Sequence, residues 1–226
     1  MESLRCRHVI IEGIFSHFAN ADAPDTADAL EQLSRFRKTL EFYTERGLKP
    51  PMRHMANSGA LLQLPDALLD MVRPGLLLYG CLPNEKIETE LPIKPAMRWV
   101  SRVVYFKVIE PGAPVSYGST WRSTCQTRLI TLPIGYGDGY MRRMSNRAQV
   151  LVRGRRHPVV GTICMDQIMV DIGWEEAYNT DEVVLLGEQE GLEITVADLA
   201  RWADTIPYEI LTAINTRVPR IYRDGS

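Results

Sequence analysis

Several things are scarce in this 226-residue sequence, and each scarcity narrows its chemistry. Lysine occurs only at positions 38, 49, 86, 94 and 107, against a Lys+Arg total of 26. The four cysteines, Cys6, Cys81, Cys125 and Cys164, stand far apart, so no CxxC pair exists to hold zinc, and no metal site is expected. Free thiols in a reducing cytoplasm are the expected state. No apolar run approaches the length of about 18 residues that a membrane span requires, and no signal-peptide pattern opens the chain. Net charge is only −2, which removes the electrostatic footprint of a nucleic-acid or anionic-membrane binder. Neither partner is expected. Internal repeats and low-complexity tracts are absent.

What is present suits a soluble globular protein, with 45% hydrophobic and 24% charged residues. Val9 to Phe15 reads as a buried strand, mostly β-branched or aromatic. Pro24-Asp25-Thr26 signals a helix start, and Leu30, Leu33, Phe36, Leu40 and Tyr43 follow on one helical face. Gly47 and Pro50 close it. A short strand over about 52–56 meets Asn57-Ser58-Gly59, a short helix follows, and a further strand runs through Met71-Val72-Arg73 toward Leu76–Tyr79. Strand, helix, strand, helix, strand is the order of parallel βα units.

Residues 83–95, bracketed by Pro83, Pro92 and Pro95, read as a polar linker. Beyond them short strands dominate, at about 98–109, 127–134, 149–152, 159–163, 168–172 and 183–186, with glycines marking turns. Thr195 and Asp198 form a capping box before a late helix carrying Leu199, Trp202 and Ile206. The expected fold is therefore α/β plus all-β: a βα segment over 1–82, the linker, and a β-rich domain over 96–226.

Seven ordered blocks then carry a resemblance over almost the whole chain. They are His17-Phe-Ala-Asn-Ala-Asp22, His54-Met-Ala-Asn-Ser58-Gly, Asp70-Met-Val-Arg73-Pro-Gly75 with Leu78-Tyr79-Gly80, Val115-Ser-Tyr117-Gly118, Gly135-Tyr136-Gly-Asp138-Gly139, Gly161-Thr-Ile-Cys-Met165-Asp166-Gln167 and Thr205-Ile-Pro-Tyr208-Glu209. Val218-Pro-Arg220 also fits. The chain resembles the alanine racemases, isomerases dependent on pyridoxal 5'-phosphate (PLP). The resemblance implies that residues 1–82 are the last three or so βα units of a PLP-type (β/α) barrel. It also implies a cytoplasmic homodimer with shared active sites, interconverting L- and D-alanine for peptidoglycan. A related barrel decarboxylase fits the Ser116-Tyr117-Gly118 and Gly135–Gly139 blocks less well.

The resemblance also distributes roles. A strand ending in Asn57-Ser58-Gly59 and opening a helix offers backbone N–H groups to a phosphate. Read alone, Ser58 is a helix cap and the glycines are turn residues. The family likeness adds the PLP phosphate at Ser58, Gly75 and the Tyr208 hydroxyl, with Asn57 beside them. Arg73 ends an apolar strand, where an unpaired charge is costly. In the family the matching arginine donates to the pyridine nitrogen, keeping it unprotonated and the ring a weaker electron sink. His54 is implied to bond Arg73, and His17 to lie close to Tyr117.

Racemisation takes a proton from one face of a carbon and returns one to the other, which calls for two bases. Tyr117 is implied to serve the L-enantiomer, its phenolate favoured by a positive Arg73–His17 neighbourhood. Met165 and Asp166 are implied to face the substrate carboxylate and entry region, and Tyr136 to be an active-site tyrosine. The catalytic expectation is thus Tyr117, Arg73 and His17.

One part of the pattern has no counterpart. The family's Schiff-base lysine lies at the end of the first barrel strand, and none of the five lysines here sits in that context. The substrate-carboxylate arginine of the same upstream region is missing too. The chain therefore reads as the C-terminal three-fifths of a family member, truncated or split. Two readings stay open: a racemase portion active once a separate N-terminal chain supplies the rest, or a non-catalytic remnant or dimerisation module. Alanine is the default substrate, with serine the alternative.

Overall fold

The computed structural model describes residues 6–223. The ends of both predicted segments, 1–5 and 224–226, lie outside the described residues. The chain divides into two compact units, Met1–Ala96 and Met97–Ser226.

In the first unit, β1 (Gly13–Phe15) pairs in parallel with β2 (Met52–His54), Phe15 opposite His54. One further parallel bridge joins His54 to Met71. Between the strands runs α1 (Ala27–Thr44), which buries Ala29, Leu33, Phe36 and Leu40. These pack with Phe18, Ala21, Met55, Ala56, Ala60 and Leu64 into one core. Helix α2 (Ser58–Gln63) follows β2 directly, capped by Asn57, whose Oδ1 accepts from the Ala60 N–H at 3.0 Å.

Several expectations change here. The strand expected over Val9–Phe15 is paired only near its end, and Val9 and Ile10 are exposed. Pro50 and Pro51 precede β2 and have no N–H to give a ladder, so pairing begins where the Met52 N–H reaches the Glu12 carbonyl at 3.0 Å. The segment Leu76–Tyr79 is a 3-10 helix rather than a strand. It follows Pro74, another missing donor, and its Leu77 N–H turns to the Ser58 hydroxyl at 3.3 Å. On α1, Ala29 takes the core place expected of Leu30, which is half exposed. Residues 83–95 lie against the first unit: Ile87 is buried, and Asn84 donates to the Asp22 carbonyl at 2.9 Å.

The second unit is β-rich. Its strands are β3 (Trp99–Arg102), β4 (Tyr105–Ile109), β5 (Pro114–Val115), β6 (Trp121–Arg122), β7 (Thr127–Leu132), β8 (Gln149–Val152), β9 (Arg155–Val160), β10 (Ile168–Asp171), β11 (Glu182–Gln189) and β12 (Leu192–Ile194). Among the described residues eight form one sheet, in the order β12-β11-β8-β9-β10-β7-β4, with β3 also on β11. All of its pairings are antiparallel. Strands β5 and β6 form a separate hairpin. The strand expected over 159–163 stops at Val160, because Gly161 turns the backbone to φ +77°.

Helix α3 (Val196–Ala203) carries the expected capping box, Thr195 and Asp198 exchanging bonds of 3.0 Å. It stops before Ile206, which is exposed, at a left-handed Asp204. Helix α4 (Pro207–Ala213), with Pro207 in its first turn, was not anticipated. Its signal was the proline, suited to a helix's first position. No described helix is long and apolar enough to cross a membrane.

Replacing Phe36 by Ala is expected to cost about 3–5 kcal/mol, and Leu30 by Ala less than about 0.5 kcal/mol. Chemical denaturation of both variants checks this. Equal losses would contradict the packing of α1.

Candidate active site

Each unit holds its own group of candidate residues. In the first, β1 and β2 end side by side, so the residues after them converge. Arg73 follows the Met71 bridge and its N–H donates to the Ala56 carbonyl at 2.8 Å, which fixes its backbone beside β2. Its guanidinium then meets three acceptors. Nη1 lies 2.6 Å from His54 Nδ1, and Nη2 lies 2.9 Å from the Ser16 carbonyl and 3.2 Å from His17 Nδ1. The Phe15 ring stacks on His54 with centroids 5.3 Å apart, and the Arg73 guanidinium sits 5.5 Å from the Phe15 centroid.

Arginine only donates. Both Nδ1 atoms must therefore accept, which puts the proton of each ring on Nε2. For His54 burial, and then the Arg73 charge, push the pKa below its ordinary value. The Arg73 guanidinium is cradled by a carbonyl and two imidazole nitrogens.

Asn57, not Ser58, caps α2. Ser58 is the first helical residue, fully buried. Gly59 is required by close approach, since a Cβ there would lie 2.6 Å from the Ala21 carbonyl oxygen. Gly75 opens the 3-10 turn that carries Leu77 to Ser58. His17, His54 and Asn57 thus lie at or just after the ends of β1 and β2, Ser58 opens α2, and Arg73 and Gly75 follow the Met71 bridge.

In the second unit the organising element is the stretch 161–166. Thr162 Oγ1 donates to the Tyr117 carbonyl at 2.8 Å, and the Thr162 carbonyl accepts from Ser116 Oγ at 2.5 Å. The Cys164 carbonyl accepts from the Tyr136 N–H at 3.0 Å, and that of Met165 from the Gly137 N–H at 2.9 Å. Two loops, one bearing Tyr117 and one bearing Tyr136, are therefore fastened to the strip that bears Met165 and Asp166. The side chains of Tyr117, Tyr136 and Met165 are exposed at 72%, 42% and 51%. Tyr208 is exposed on α4.

Sequence reading missed Arg217. Its Nη2 pairs with Asp166 at 2.6 Å and its Nε with Asp138 at 3.3 Å, and the Asp166 bond holds its pKa above the ordinary value. Asn215 donates to the Gly137 carbonyl at 2.6 Å. The only signal was proximity to Val218-Pro-Arg220. Ser116, Thr162 and Cys164 lay inside quoted blocks without being singled out.

The sequence model "Alanine racemase, C-terminal domain" matches residues 96–222, and "Alanine racemase, N-terminal domain" matches residues 1–83. The alanine racemase of Halothermothrix orenii is 43% identical over 218 residues, 96% of this chain and 58% of that protein. The alanine racemase structure from Streptomyces lavendulae has a TM-score of 0.90 at 41% identity, covering 96% of this chain and 57% of that one. A structure of the Bartonella henselae alanine racemase with covalently bound pyridoxal phosphate has a TM-score of 0.84 at 32% identity, covering 94% and 57%. The chain belongs to the alanine racemase family. It spans a little under three-fifths of the length of these relatives.

The lowered His54 pKa has a sign. A histidine held neutral stabilises the fold above its unfolded value, about 6.5, and that stability is lost as pH falls through the lower folded value. Denaturation of wild type and His54→Gln at pH 7.5 and 5 is expected to show the larger drop in wild type. Equal drops would sink this assignment.

Proposed function

We propose that this chain provides part of a PLP-dependent alanine racemase, a cytoplasmic enzyme working as a homodimer. Residues 1–82 are the last βα units of its barrel, 83–95 the connection and 96–226 the β domain. The observation that carries the reading is the Arg73 cluster. Among the described residues, the bonds to Ser16, His17 and His54 take three of the five guanidinium N–H groups. The donors that remain suit an acceptor that carries no proton, such as a pyridine nitrogen.

The donor set at α2 fits the other end of the cofactor. A helix start leaves its first N–H groups without intrahelical partners, and a phosphate accepts from them. Ser58 accepts from Leu77, and its own hydroxyl hydrogen remains to be given. Asn57 and Gly75 shape the turns around it, and Tyr208 supplies a further hydroxyl in the assembled enzyme. When bound, PLP draws electrons from the substrate α-carbon and makes its proton removable.

The chain's own residues then divide the work. Arg73 holds the ring nitrogen, and His54 and His17 fix Arg73. Tyr117 exchanges the α-proton at its phenol oxygen on one face of the substrate. Met165 and Asp166 line the substrate carboxylate region, with Tyr136 beside them. The second face needs another base and the cofactor needs a lysine anchor. Lys38 is on α1, Lys107 on β4, and Lys49, Lys86 and Lys94 lie in connecting segments, none of them in the family's lysine-bearing block. Racemase sequence outside these 226 residues supplies that lysine in this reading. Alanine is the proposed substrate, the amino acid for which the relatives are named.

Two outcomes test this. Borohydride treatment of the pure chain with PLP is expected to leave no reduced adduct on one specific lysine. A single stable adduct would mean the anchor lies within these residues. Co-expression with the complementary portion of a family member is expected to rescue a D-alanine auxotroph, and Tyr117→Phe to cut turnover by roughly 10²–10⁴-fold. No rescue by a soluble, co-purifying pair would contradict the enzymatic reading.

A further inference from the structure

The residue before Tyr117 has an unusual backbone. Ser116 adopts φ +63° and ψ −176°, a region that residues with a side chain avoid and that is essentially reserved to glycine. Gly118 and Ser119 follow at φ +73° and +48°. Such a conformation persists only where the surroundings over-determine it.

Here they do. Ser116 Oγ donates to the Thr162 carbonyl at 2.5 Å and lies 3.4 Å from Cys164 Sγ. The next carbonyl, that of Tyr117, accepts from Thr162 Oγ1 at 2.8 Å. Thr162 Oγ1 is itself 3.3 Å from Thr120 Oγ1, which accepts from Asn146 Nδ2 at 3.1 Å. Asn146 Oδ1 in turn takes the Gly161 N–H at 2.6 Å. Gly161 closes the arrangement: a Cβ there would lie 2.9 Å from the Ser116 Cβ and 2.7 Å from the Val115 carbonyl oxygen.

Tyr117 is 72% exposed, so packing does not aim its ring. Its direction comes from its own backbone, fastened on one side by the Ser116 hydroxyl and on the other by Thr162. A glycine at 116 would accept the same angles but would be free to leave them. The serine cannot reach them easily and is tied down once there.

We propose that Ser116 is a positioning residue, whose hydroxyl locks a strained turn so that the Tyr117 phenol is held in one direction before substrate arrives. The proposal rests on the reading of Tyr117 as a proton-exchanging group, but its structural half can be measured without turnover. Pre-orientation of a reacting group removes an ordering cost from the reaction. Losing it is expected to lower kcat more than to raise KM.

Nitrogen-15 relaxation of the full chain, in wild type, Ser116→Gly and Ser116→Ala, reads the first half. The Tyr117 amide is expected to have an order parameter near about 0.85 in wild type and below about 0.6 in both variants. The thermal midpoint of Ser116→Gly is expected to stay close to wild type, because glycine suits the turn. Ser116→Ala is expected to melt lower, since it keeps the strain and loses the bond.

In the complemented racemase, Ser116→Gly is expected to lower kcat at least about tenfold while KM stays within about twofold. A Tyr117 amide that stays rigid in both variants would overturn the proposal. So would an unchanged kcat for Ser116→Gly in a preparation where Tyr117→Phe is inactive. If Tyr117→Phe leaves turnover intact, the role given to Tyr117 in racemisation fails, while the order parameters still decide whether Ser116 holds it.

Discussion

One guanidinium organises the first unit's candidate site. Arg73 emerges where a short parallel edge ends, and a half-buried cation there must be met by acceptors or be costly. Three acceptors meet it, the Ser16 carbonyl and the Nδ1 atoms of His17 and His54, and all come from the ends of β1 and β2. Because arginine offers only donors, it dictates the tautomer of both rings. Phe15 stacked on His54 closes the cluster from one side. The result is a lone, permanently charged donor with its orientation set in advance.

The second unit solves a different problem, presenting exposed side chains in fixed directions. Tyr117, Tyr136 and Met165 reach outward, where packing gives little control. Control comes instead from backbone fastening to the strip 161–166, whose carbonyls and one threonine hydroxyl hold both tyrosine loops. Arg217 adds a second strap by gripping Asp138 and Asp166 together. Loops that must be flexible enough to vary and rigid enough to act are often built on such a scaffold.

The blocks readable in the sequence named most of the candidate residues, because each block is a strand end or turn whose residue types are dictated locally. Most of the α1 face, the α3 capping box and the β8 bounds were legible for the same reason. What stayed hidden depended on partners distant in sequence. Pro50 and Pro51 shorten β1 from the opposite strand, and Ser58 draws Leu77 out of an extended path. Arg217 finds Asp138 and Asp166 from 79 and 51 positions away, a distance that no periodicity reports. The Ser116 backbone was equally invisible, since a serine gives no warning of a glycine-like conformation. The cap at Asn57 rather than Ser58 was a matter of one residue, the scale at which helix ends are hardest to read.

The most direct test of this account is the protonation of the two imidazoles. Long-range proton–nitrogen NMR of the chain at neutral pH is predicted to show His17 and His54 both with Nδ1 unprotonated and Nε2–H. In Arg73→Gln that uniform tautomer is predicted to be lost. Finding a proton on Nδ1 of either ring in the wild-type protein would mean that Arg73 is not held as described, and the pre-set donor on which the functional reading stands would be gone.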